Sequence, residues 1–357
     1  MNNIERIQAM LAENDLDALL IFDEKNQRFA AGFPFTDGAV IVAREKAWLL
    51  TDSRYIEAAE KTIGDCAEVR MFDRQHPLMA LIQAALAEIG AEKPGAEEES
   101  LSHSRWANLE KLLGRELRPA QALLRRLRAS KTEEEIRSMI AAQRISEKAL
   151  EEVLPIIQPG MTEREVMAEL VYHMLKNGSE GNSFDPIVVT GANTSMPHGV
   201  PGDTVIRAGD FITMDFGSLK NGYCSDMTRT VAVGYATEEM KNVYDVVLKA
   251  QLAGIAAARS GVLGKEIDAA ARKVITEAGY GPYFGHGFGH SLGLDIHEPP
   301  FAGPTGSVPM AENDLCSAEP GIYLPGKFGV RIEDVMIIRA TGAEVITRAP
   351  KTELIVL

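Results

Sequence analysis

Two aspartates occupy a segment whose sequence otherwise predicts a β-hairpin. Residues 211–230 read FITMDFGSLKNGYCSDMTRT, in which apolar and polar residues alternate on either side of a stretch rich in turn formers. A four-residue loop over residues 219–222 places Asp215 opposite Asp226, with their Cβ atoms about 5 Å apart. Like charges that face each other across a sheet repel, and aspartate is a poor strand former. The pair therefore indicates a chemical role.

Two glutamates show a similar arrangement near the C-terminus. Glu319 and Glu333 lie in apolar, strand-like sequence on either side of LPGKFG, and their positions are symmetric about Gly326. A second hairpin would therefore bring these two carboxylates face to face. Buried carboxylates are rare unless they are paired or coordinated. For either glutamate alone, a salt bridge to Arg331 or Arg229 is the simpler interpretation.

Three histidines fall within HGFGHSLGLDIHE, residues 286–298. His286 and His290 are four residues apart, which is the spacing of two zinc ligands on a helix. The many glycines of this segment argue against a helix, because each costs about 1 kcal/mol there. We therefore place His286, His290 and His297 on loops or strands, and their clustering favours chemistry over packing.

These segments can supply four carboxylates and one neutral imidazole nitrogen to a single site. Four like charges converge only where strong positive charge lies among them, and two divalent cations would provide it, with two carboxylates bridging both ions. An oxygen-rich ligand set with one imidazole suits manganese or another first-row ion better than a thiolate-type zinc site does. The sequence thus predicts a dinuclear metal site.

A change in sequence character near residue 129 predicts two domains, since 357 residues are many for one. Residues 1–128 alternate helix and strand signals, as in a small α/β domain, and EKPGAEEES (residues 92–100) is predicted to be a polar loop. The basic residues that follow are predicted to be solvated charges of a connector; they are Arg125, Arg126, Arg128 and Lys131.

Residues 129–357 contain a pattern that occurs twice. Thr132 with Glu135, and Thr162 with Glu165, form capping-box sequences that open helices. A long helix, a break and a shorter helix then recur after intervening strands. The predicted helices span residues 132–154, 162–176, 237–259 and 264–278. We predict an α+β fold in which the second domain is pseudo-symmetric.

The composition limits the possible functions. The chain is 45% apolar and 25% charged, as in soluble globular proteins, and its formal net charge of −14 argues against nucleic acid or an anionic membrane as the main partner. No apolar run has the length of a membrane span, and the N-terminus lacks the apolar core of a signal peptide. The three widely spaced cysteines favour a reducing cytoplasm.

The chain resembles the pita-bread metallopeptidases, which include prolidase (Xaa-Pro dipeptidase), aminopeptidase P and, more distantly, methionine aminopeptidase. The resemblance runs from about residue 129 to the C-terminus, and residues 1–128 resemble the creatinase-type N-terminal domain of prolidase and aminopeptidase P. The motifs that carry it are MDFGSLKNGYCSDMTRT, GHSLG, AEPGIY and VRIED. The metal ligands that it implies are Asp215, Asp226, His290, Glu319 and Glu333.

The resemblance also implies roles for residues around the ligands. His198 and His297 match histidines that hold the substrate and stabilise the tetrahedral intermediate, and His286 matches a flexible histidine of the pocket. Arg331 and Tyr323 match residues that lie behind the ligands in the members acting on Xaa-Pro bonds. The segment Ser291-Leu292 departs slightly from the family pattern without removing a ligand.

The implied function is hydrolysis of the Xaa-Pro bond of dipeptides or peptide N-termini by a hydroxide that bridges two divalent ions. Mn²⁺ is the expected metal, with Co²⁺ or Zn²⁺ as alternatives, and Glu319 is the candidate proton shuttle. The contexts PHGVP and GVRIED slightly favour a prolidase over an aminopeptidase P acting on longer peptides.

Other classes remain as alternatives. A non-catalytic binding protein and a metal-free creatinase-like hydrolase are both disfavoured, because the chain keeps all five ligand residues. Methionine aminopeptidases generally lack the additional N-terminal domain. The resemblance further implies a cytoplasmic homodimer with a proline-containing peptide as substrate.

Overall fold

The computed structural model describes residues 2–357, which divide between Arg128 and Ala129 into two compact units. Both units combine helices with β-sheets. Among the described residues, none of the helices has both the length and the apolar character needed to cross a membrane.

The first unit is built on one six-stranded mixed sheet with the strand order β4-β3-β2-β1-β5-β6. The strands are β1 Ala18–Ile21, β2 Ala39–Ala43, β3 Ala47–Thr51, β4 Glu68–Met71, β5 Pro94–Ala96 and β6 Arg118–Pro119. The helices are α1 Asn3–Leu11, α2 Glu24–Ala31, α3 Ile56–Ile63, α4 Leu78–Glu88, α5 His103–Leu113 and α6 Gln121–Ala129. One face of the sheet packs Leu20, Ile41 and Trp48 into a core with Ile82 of α4.

The predicted polar loop EKPGAEEES is partly wrong, because its residues Pro94–Ala96 form strand β5. This strand runs parallel to β1 and lies inside the sheet, with all three residues buried. A Cβ on Gly95 would lie 2.9 Å from Leu16 and 3.1 Å from Ala120. Close packing therefore requires a small residue in the strand, although such residues in a sequence usually indicate a loop.

The prediction that the basic stretch is fully solvated is also wrong, for two of its four residues. Arg128 is only 8% exposed, and its Nη1 donates a hydrogen bond to Asn26 Oδ1 at 2.8 Å. Lys131 is 3% exposed, and its ammonium lies 3.3 Å from Glu298 Oε2. Both charges are buried with polar partners, as buried charges must be.

The second unit contains two antiparallel sheets, β11-β8-β7 and β13-β12-β14-β17-β18, and two short two-stranded ladders, β9-β10 and β15-β16. Its helices are α7 Glu133–Val153, α8 Glu163–Lys176, α9 Glu238–Ala257 and α10 Gly264–Glu277. Its strands are β7 Ile187–Thr190, β8 Phe211–Phe216, β9 Leu219–Lys220, β10 Tyr223–Cys224, β11 Met227–Ala232, β12 Gly289–Ser291, β13 Glu298–Ala302, β14 Leu315–Ala318, β15 Gly321–Leu324, β16 Phe328–Arg331, β17 Asp334–Ile338 and β18 Ala343–Val345.

The helices repeat as predicted. Helices α7 and α9 have 21 and 20 residues, and α8 and α10 have 14 each. Both capping boxes form, at Thr132 and Thr162. Helices α7 and α8 share one apolar core with β8 and β11, whereas α9 and α10 share another with β14 and β17. The α+β fold class is confirmed.

The first hairpin exists, but its predicted loop and register are wrong. Asp215 on β8 is paired with Thr228 on β11, so Asp226 lies two residues from the predicted position. The turn consists of Asn221 and Gly222 alone, with φ of 50° and 75°, and it joins β9 to β10. Asn-Gly tolerates the left-handed conformation that a two-residue hairpin turn requires. A shift of two residues keeps each side chain on its face, so both aspartates remain on the same side.

The second hairpin has the predicted centre. In the β14–β17 ladder Cys316 pairs with Met336, and in the β15–β16 ladder Tyr323 pairs with Gly329. Both pairs are symmetric about residue 326. Glu319 and Glu333 lie in the interval between the two ladders, so the hairpin brings them to the same level.

Gly217 lets the first hairpin close. A Cβ at this position would lie 2.0 Å from Ser225 O and 2.1 Å from Ser183 Oγ. Since backbone atoms cannot yield as a flexible side chain can, we expect Gly217→Ala to lower the free energy of unfolding by about 3 kcal/mol, as measured by urea unfolding.

Gly342→Ala is the matched control, because no atom lies within 4 Å of its added Cβ. Its effect should stay within about 0.5 kcal/mol. Equal unfolding curves for the two variants would contradict the close approach at Gly217.

Candidate metal centre and active-site cleft

A cleft of about 680 Å³ in the second unit collects nine of the ten residues that the sequence singled out. They are His198, Asp215, Asp226, His286, His290, His297, Glu319, Arg331 and Glu333. Tyr323, the tenth, lies behind the wall and is hydrogen-bonded to two of them. Two hairpins, the strand β12 and two loops thus bring residues that are far apart in sequence to one place.

The ligand-type side chains converge at the base of this cleft. One atom each of Asp226, His290 and Glu333 lies within 4.8 Å of the other two. His290 Nε2 is 3.2 Å from Glu319 Oε1 and 3.6 Å from Asp226 Oδ2. Burial raises the pKa of Asp215, Glu319 adds to this effect and Arg331 opposes it, so the carboxylate belongs to the same electrostatic cluster.

Three carboxylate oxygens in the cluster are buried without a hydrogen-bond partner among the described residues. They are Asp215 Oδ1, Asp226 Oδ1 and Glu333 Oε1, on residues that are 9%, 3% and 1% exposed. An unsatisfied buried polar group costs about 1–3 kcal/mol, and more if it is charged. Oxygen atoms of this kind beside one imidazole nitrogen are the donors that a hard or borderline divalent ion prefers. The residues present therefore fit a metal centre.

Neighbouring residues hold one oxygen of Glu333 and one oxygen of Asp215, while the other oxygen of each has no partner among the described residues. Thr228 Oγ1 donates to Glu333 Oε2 at 2.7 Å, and Arg331 Nη2 donates to Asp215 Oδ2 at 2.6 Å. The role of Thr228 was not predicted from the sequence. The alternation of side chains along a strand could have indicated this role, because it places Thr228 on the same face as Asp226.

Ser317 supports the second hairpin in the same way. Its hydroxyl donates to Glu319 Oε1 at 3.0 Å and accepts from the backbone N–H of His290 at 3.0 Å. The ring of His290 is oriented by Nδ1, which lies 3.1 Å from Ser291 O and donates to it, so Nε2 is the nitrogen facing the acids. Ser317 was also missed, although it lies two residues before Glu319.

The pKa shifts follow from crowding of like charges in a buried place. Burial, reinforced by the neighbouring acids, raises the pKa values of Asp226 and Glu333 well above their usual range. Burial raises the pKa of Glu319, but the hydrogen bond to His290 and the nearby positive charges of His290 and Arg331 together outweigh burial and lower the pKa to about 2. Burial lowers the pKa of His290, but the hydrogen bond to Glu319 and the negative charges of Glu319 and Asp226 together outweigh burial and raise the pKa to about 9. The imidazolium of His290 and the guanidinium of Arg331 thus offset part of the negative charge of the cluster.

A hydrogen-bonded chain forms the wall beside the acids. His286 Nδ1 lies 2.8 Å from Gly287 O and donates to it, so its Nε2 accepts from Tyr323 Oη at 2.9 Å. Tyr323 Oη in turn accepts from Arg331 Nη1 at 2.9 Å. Burial lowers the pKa of His286 and raises the pKa of Tyr323 to about 12. Both groups are therefore neutral near pH 7, and both nitrogens of His286 are engaged.

His198 and His297 lie at the open side of the cleft, where both are exposed. The ring of His297 lies 4.3 Å from the ring of His290, measured between centroids. Burial and the neighbouring His290 lower the pKa of His297. A neutral imidazole at this place can donate one hydrogen bond to a group in the cleft.

The remaining wall of the cleft is mostly apolar, and little in the sequence predicted it. Its larger members are Phe184, Ile187, Val200, Ile296 and Phe301. Phe301 was detectable in principle, because strand pairing places it opposite His290. The others lie on loops or at a strand end, where no periodic pattern identifies them.

Comparison with known proteins agrees with this geometry. The profile described as metallopeptidase family M24 matches residues 137–340, and the creatinase/prolidase N-terminal domain profile matches residues 3–130. The chain is 35% identical over 351 residues to a Xaa-Pro dipeptidase of Pyrococcus furiosus, covering 98% of each chain.

Two solved structures are similar over almost the whole length. A Xaa-Pro dipeptidase from Bacillus anthracis superposes with a TM-score of 0.95 at 40% identity and 99% coverage of both chains. An X-Pro aminopeptidase from Thermotoga maritima gives a TM-score of 0.93 at 34% identity, covering 99% of this chain and 100% of the other. These similarities confirm the resemblance drawn from the sequence motifs. The chain belongs to metallopeptidase family M24, carries the creatinase/prolidase N-terminal domain, and is a hydrolase.

Proposed function

We propose that the protein hydrolyses the peptide bond between an N-terminal residue and a following proline, with two divalent ions held by Asp215, Asp226, His290, Glu319 and Glu333. The observation that carries this function is the set of three buried, unpartnered carboxylate oxygens beside His290. Such a set is costly for the protein alone and is stabilised by bound cations. The similarity to Xaa-Pro peptidases at 34–40% identity supports the substrate class.

Manganese is the proposed metal. The donors comprise carboxylate oxygens and one imidazole nitrogen, and the buried thiols Cys224 and Cys316 lie outside this cluster. Oxygen-rich sites suit Mn²⁺ better than thiolate-preferring ions, while Co²⁺ and Zn²⁺ remain compatible with the same ligands. Because most protein sites bind Co²⁺ and Zn²⁺ more tightly than Mn²⁺, the metal that is bound in the cell also depends on how much of each ion is available.

Glu319 and the two histidines of the open side have separate roles in the proposed reaction. When bound, a pair of divalent ions at such a site lowers the pKa of water and polarises a peptide carbonyl. Glu319 accepts the proton of the attacking water and passes it to the proline nitrogen as the C–N bond breaks. His198 and His297 donate hydrogen bonds to oxygens that gain negative charge in the transition state.

Arg331 and Tyr323 act by positioning. Arg331 fixes Asp215 through one N–H and Tyr323 through another, and Tyr323 in turn fixes His286. The apolar wall suits a proline ring, which has no N–H in its peptide bond and needs shape more than an acceptor. A catalytically inactive binding protein would have no need for the unpartnered acids.

Assembly and location follow from the family resemblance and from the cysteines. The family resemblance favours a homodimer. In the described part of the chain Cys66, Cys224 and Cys316 lie outside any disulfide, which favours the reducing cytoplasm.

Asp226→Asn tests the metal role of the acids. We expect the variant to lose at least 1,000-fold in kcat/KM for Ala-Pro-Ala and to bind less than one full complement of Mn²⁺, measured by elemental analysis. The fold should persist, as judged by circular dichroism, because asparagine has almost the same size. The control is Asp203→Asn, whose aspartate side chain is 87% exposed and should not affect the rate. Near-normal turnover by Asp226→Asn would remove this residue from the site.

Metal removal should reveal the repulsion among the acids. Chelation is expected to lower the melting temperature of the wild-type protein, and Mn²⁺ at 100-fold its Kd should restore about 2.7 kcal/mol per independent site. Metal-free Asp226→Asn should melt above the metal-free wild type, because one buried carboxylate has been neutralised. Thermal scans of both proteins with and without Mn²⁺ provide the comparison. Identical melting of the two metal-free proteins would contradict repulsion in the cluster.

A further inference from the structure

The charges of the cleft bear on the length of the peptide it accepts. On the premise that the chain is the Xaa-Pro peptidase proposed above, we propose that it favours peptides that continue beyond proline and discriminates against free Xaa-Pro dipeptides. A dipeptide carries a carboxylate on the proline itself, whereas a longer peptide has a neutral amide there. The walls of the cleft suit the amide.

The first reason is that the cleft has no unpaired cation. Among the lining residues, all within the described range 2–357, Arg331 is the only lysine or arginine. Its guanidinium donates to Asp215, Tyr323, Thr228 and the carbonyl of Pro197, at distances of 2.6–3.3 Å. A guanidinium has five N–H groups, so four are occupied. Its charge is already balanced by Asp215.

The second reason is the balance of charge in the cleft. The lining residues include five acids, namely Asp185, Asp215, Asp226, Glu319 and Glu333, against the single guanidinium. Two divalent ions would neutralise the four remaining negative charges and leave no positive excess. A substrate carboxylate would therefore enter a site that offers it no net attraction.

The third reason is the apolar surface near the open side. Val200 and Phe301 are 85% and 49% exposed and both line the cleft. A carboxylate placed against such groups loses hydration without gaining an ion pair, which disfavours binding far more for a charged group than for an amide. His198 and His297 can each donate a hydrogen bond to an amide carbonyl in the cleft. The volume of about 680 Å³ leaves room for residues beyond proline.

Phe301 offers a position at which a cation could be added to the cleft. It lies on β13 opposite His290 on β12, so its side chain stands beside the proposed ligand and also reaches the exposed side of the cleft. An arginine at this position could extend into the cleft without entering the buried core. The same position therefore allows the preference to be reversed by one substitution.

Three substrates isolate the effect of the carboxylate. The Mn²⁺-loaded wild-type enzyme is assayed with Ala-Pro, with Ala-Pro-amide, which differs only in the neutral C-terminus, and with Ala-Pro-Ala. We expect kcat/KM for the amide and the tripeptide to exceed that for Ala-Pro by at least tenfold. Equal or faster hydrolysis of Ala-Pro overturns the preference while leaving the peptidase function intact. If none of the three is cleaved by the metal-loaded enzyme, the peptidase function itself fails.

Two variants at Phe301 separate charge from shape. Phe301→Arg should raise kcat/KM for Ala-Pro relative to Ala-Pro-amide by at least fivefold, and added salt should reduce this gain because exposed charges are screened. Phe301→Gln removes the ring without adding charge and should leave the ratio of the two substrates within twofold of the wild type. An equal gain in both variants, or no gain with arginine, would contradict the missing-cation explanation.

Discussion

Mutual repulsion among buried carboxylates is the constraint around which the second unit is organised. Asp215, Asp226, Glu319 and Glu333 meet where little water reaches them, and three of their oxygens have no partner within the described chain. The repulsion appears in the raised pKa values of Asp226 and Glu333. Such a cluster lowers the stability of the folded protein, and divalent ions bound by the carboxylates would raise it again.

The surrounding structure keeps the acids in place against this repulsion. Asp215 lies within the β8–β11 ladder, whereas Asp226, Glu319 and Glu333 lie where the ladders of the two hairpins are interrupted. All four side chains line the cleft. Thr228, Ser317 and Arg331 each hold one carboxylate oxygen by a direct hydrogen bond. All residues of strands β8 and β11 are buried, so these strands form a rigid support for the acids. Rigid elements with fixed neighbouring groups are what a preorganised site requires.

The sequence predicted the parts of the structure that depend on local chemistry. The capping boxes at Thr132 and Thr162 set the helix starts, and the symmetry about Gly326 set the second hairpin. The first hairpin was misplaced by two residues, because the Asn221-Gly222 turn closes more tightly than a four-residue loop. Both aspartates nevertheless lie on the same face, because side chains alternate along a strand and a shift of two residues leaves each on its own side.

Features set by tertiary packing could not be predicted in this way. The strand Pro94–Ala96 has the composition of a loop and is a strand only because the sheet encloses it. The burial of Arg128 and Lys131 depends on Asn26 and Glu298, which lie 102 and 167 residues away. Most of the apolar residues of the cleft lie on loops or at a strand end, so no periodicity identified them. Long-range partners of this kind leave no local signal.

Anomalous diffraction from crystals soaked in Mn²⁺ tests whether the acids form a metal centre. Repulsion relieved by cations predicts two strong peaks roughly 3.5–4 Å apart, enclosed by the four carboxylates and His290. A map without peaks in the cleft, or with manganese bound only at other surfaces, would contradict it.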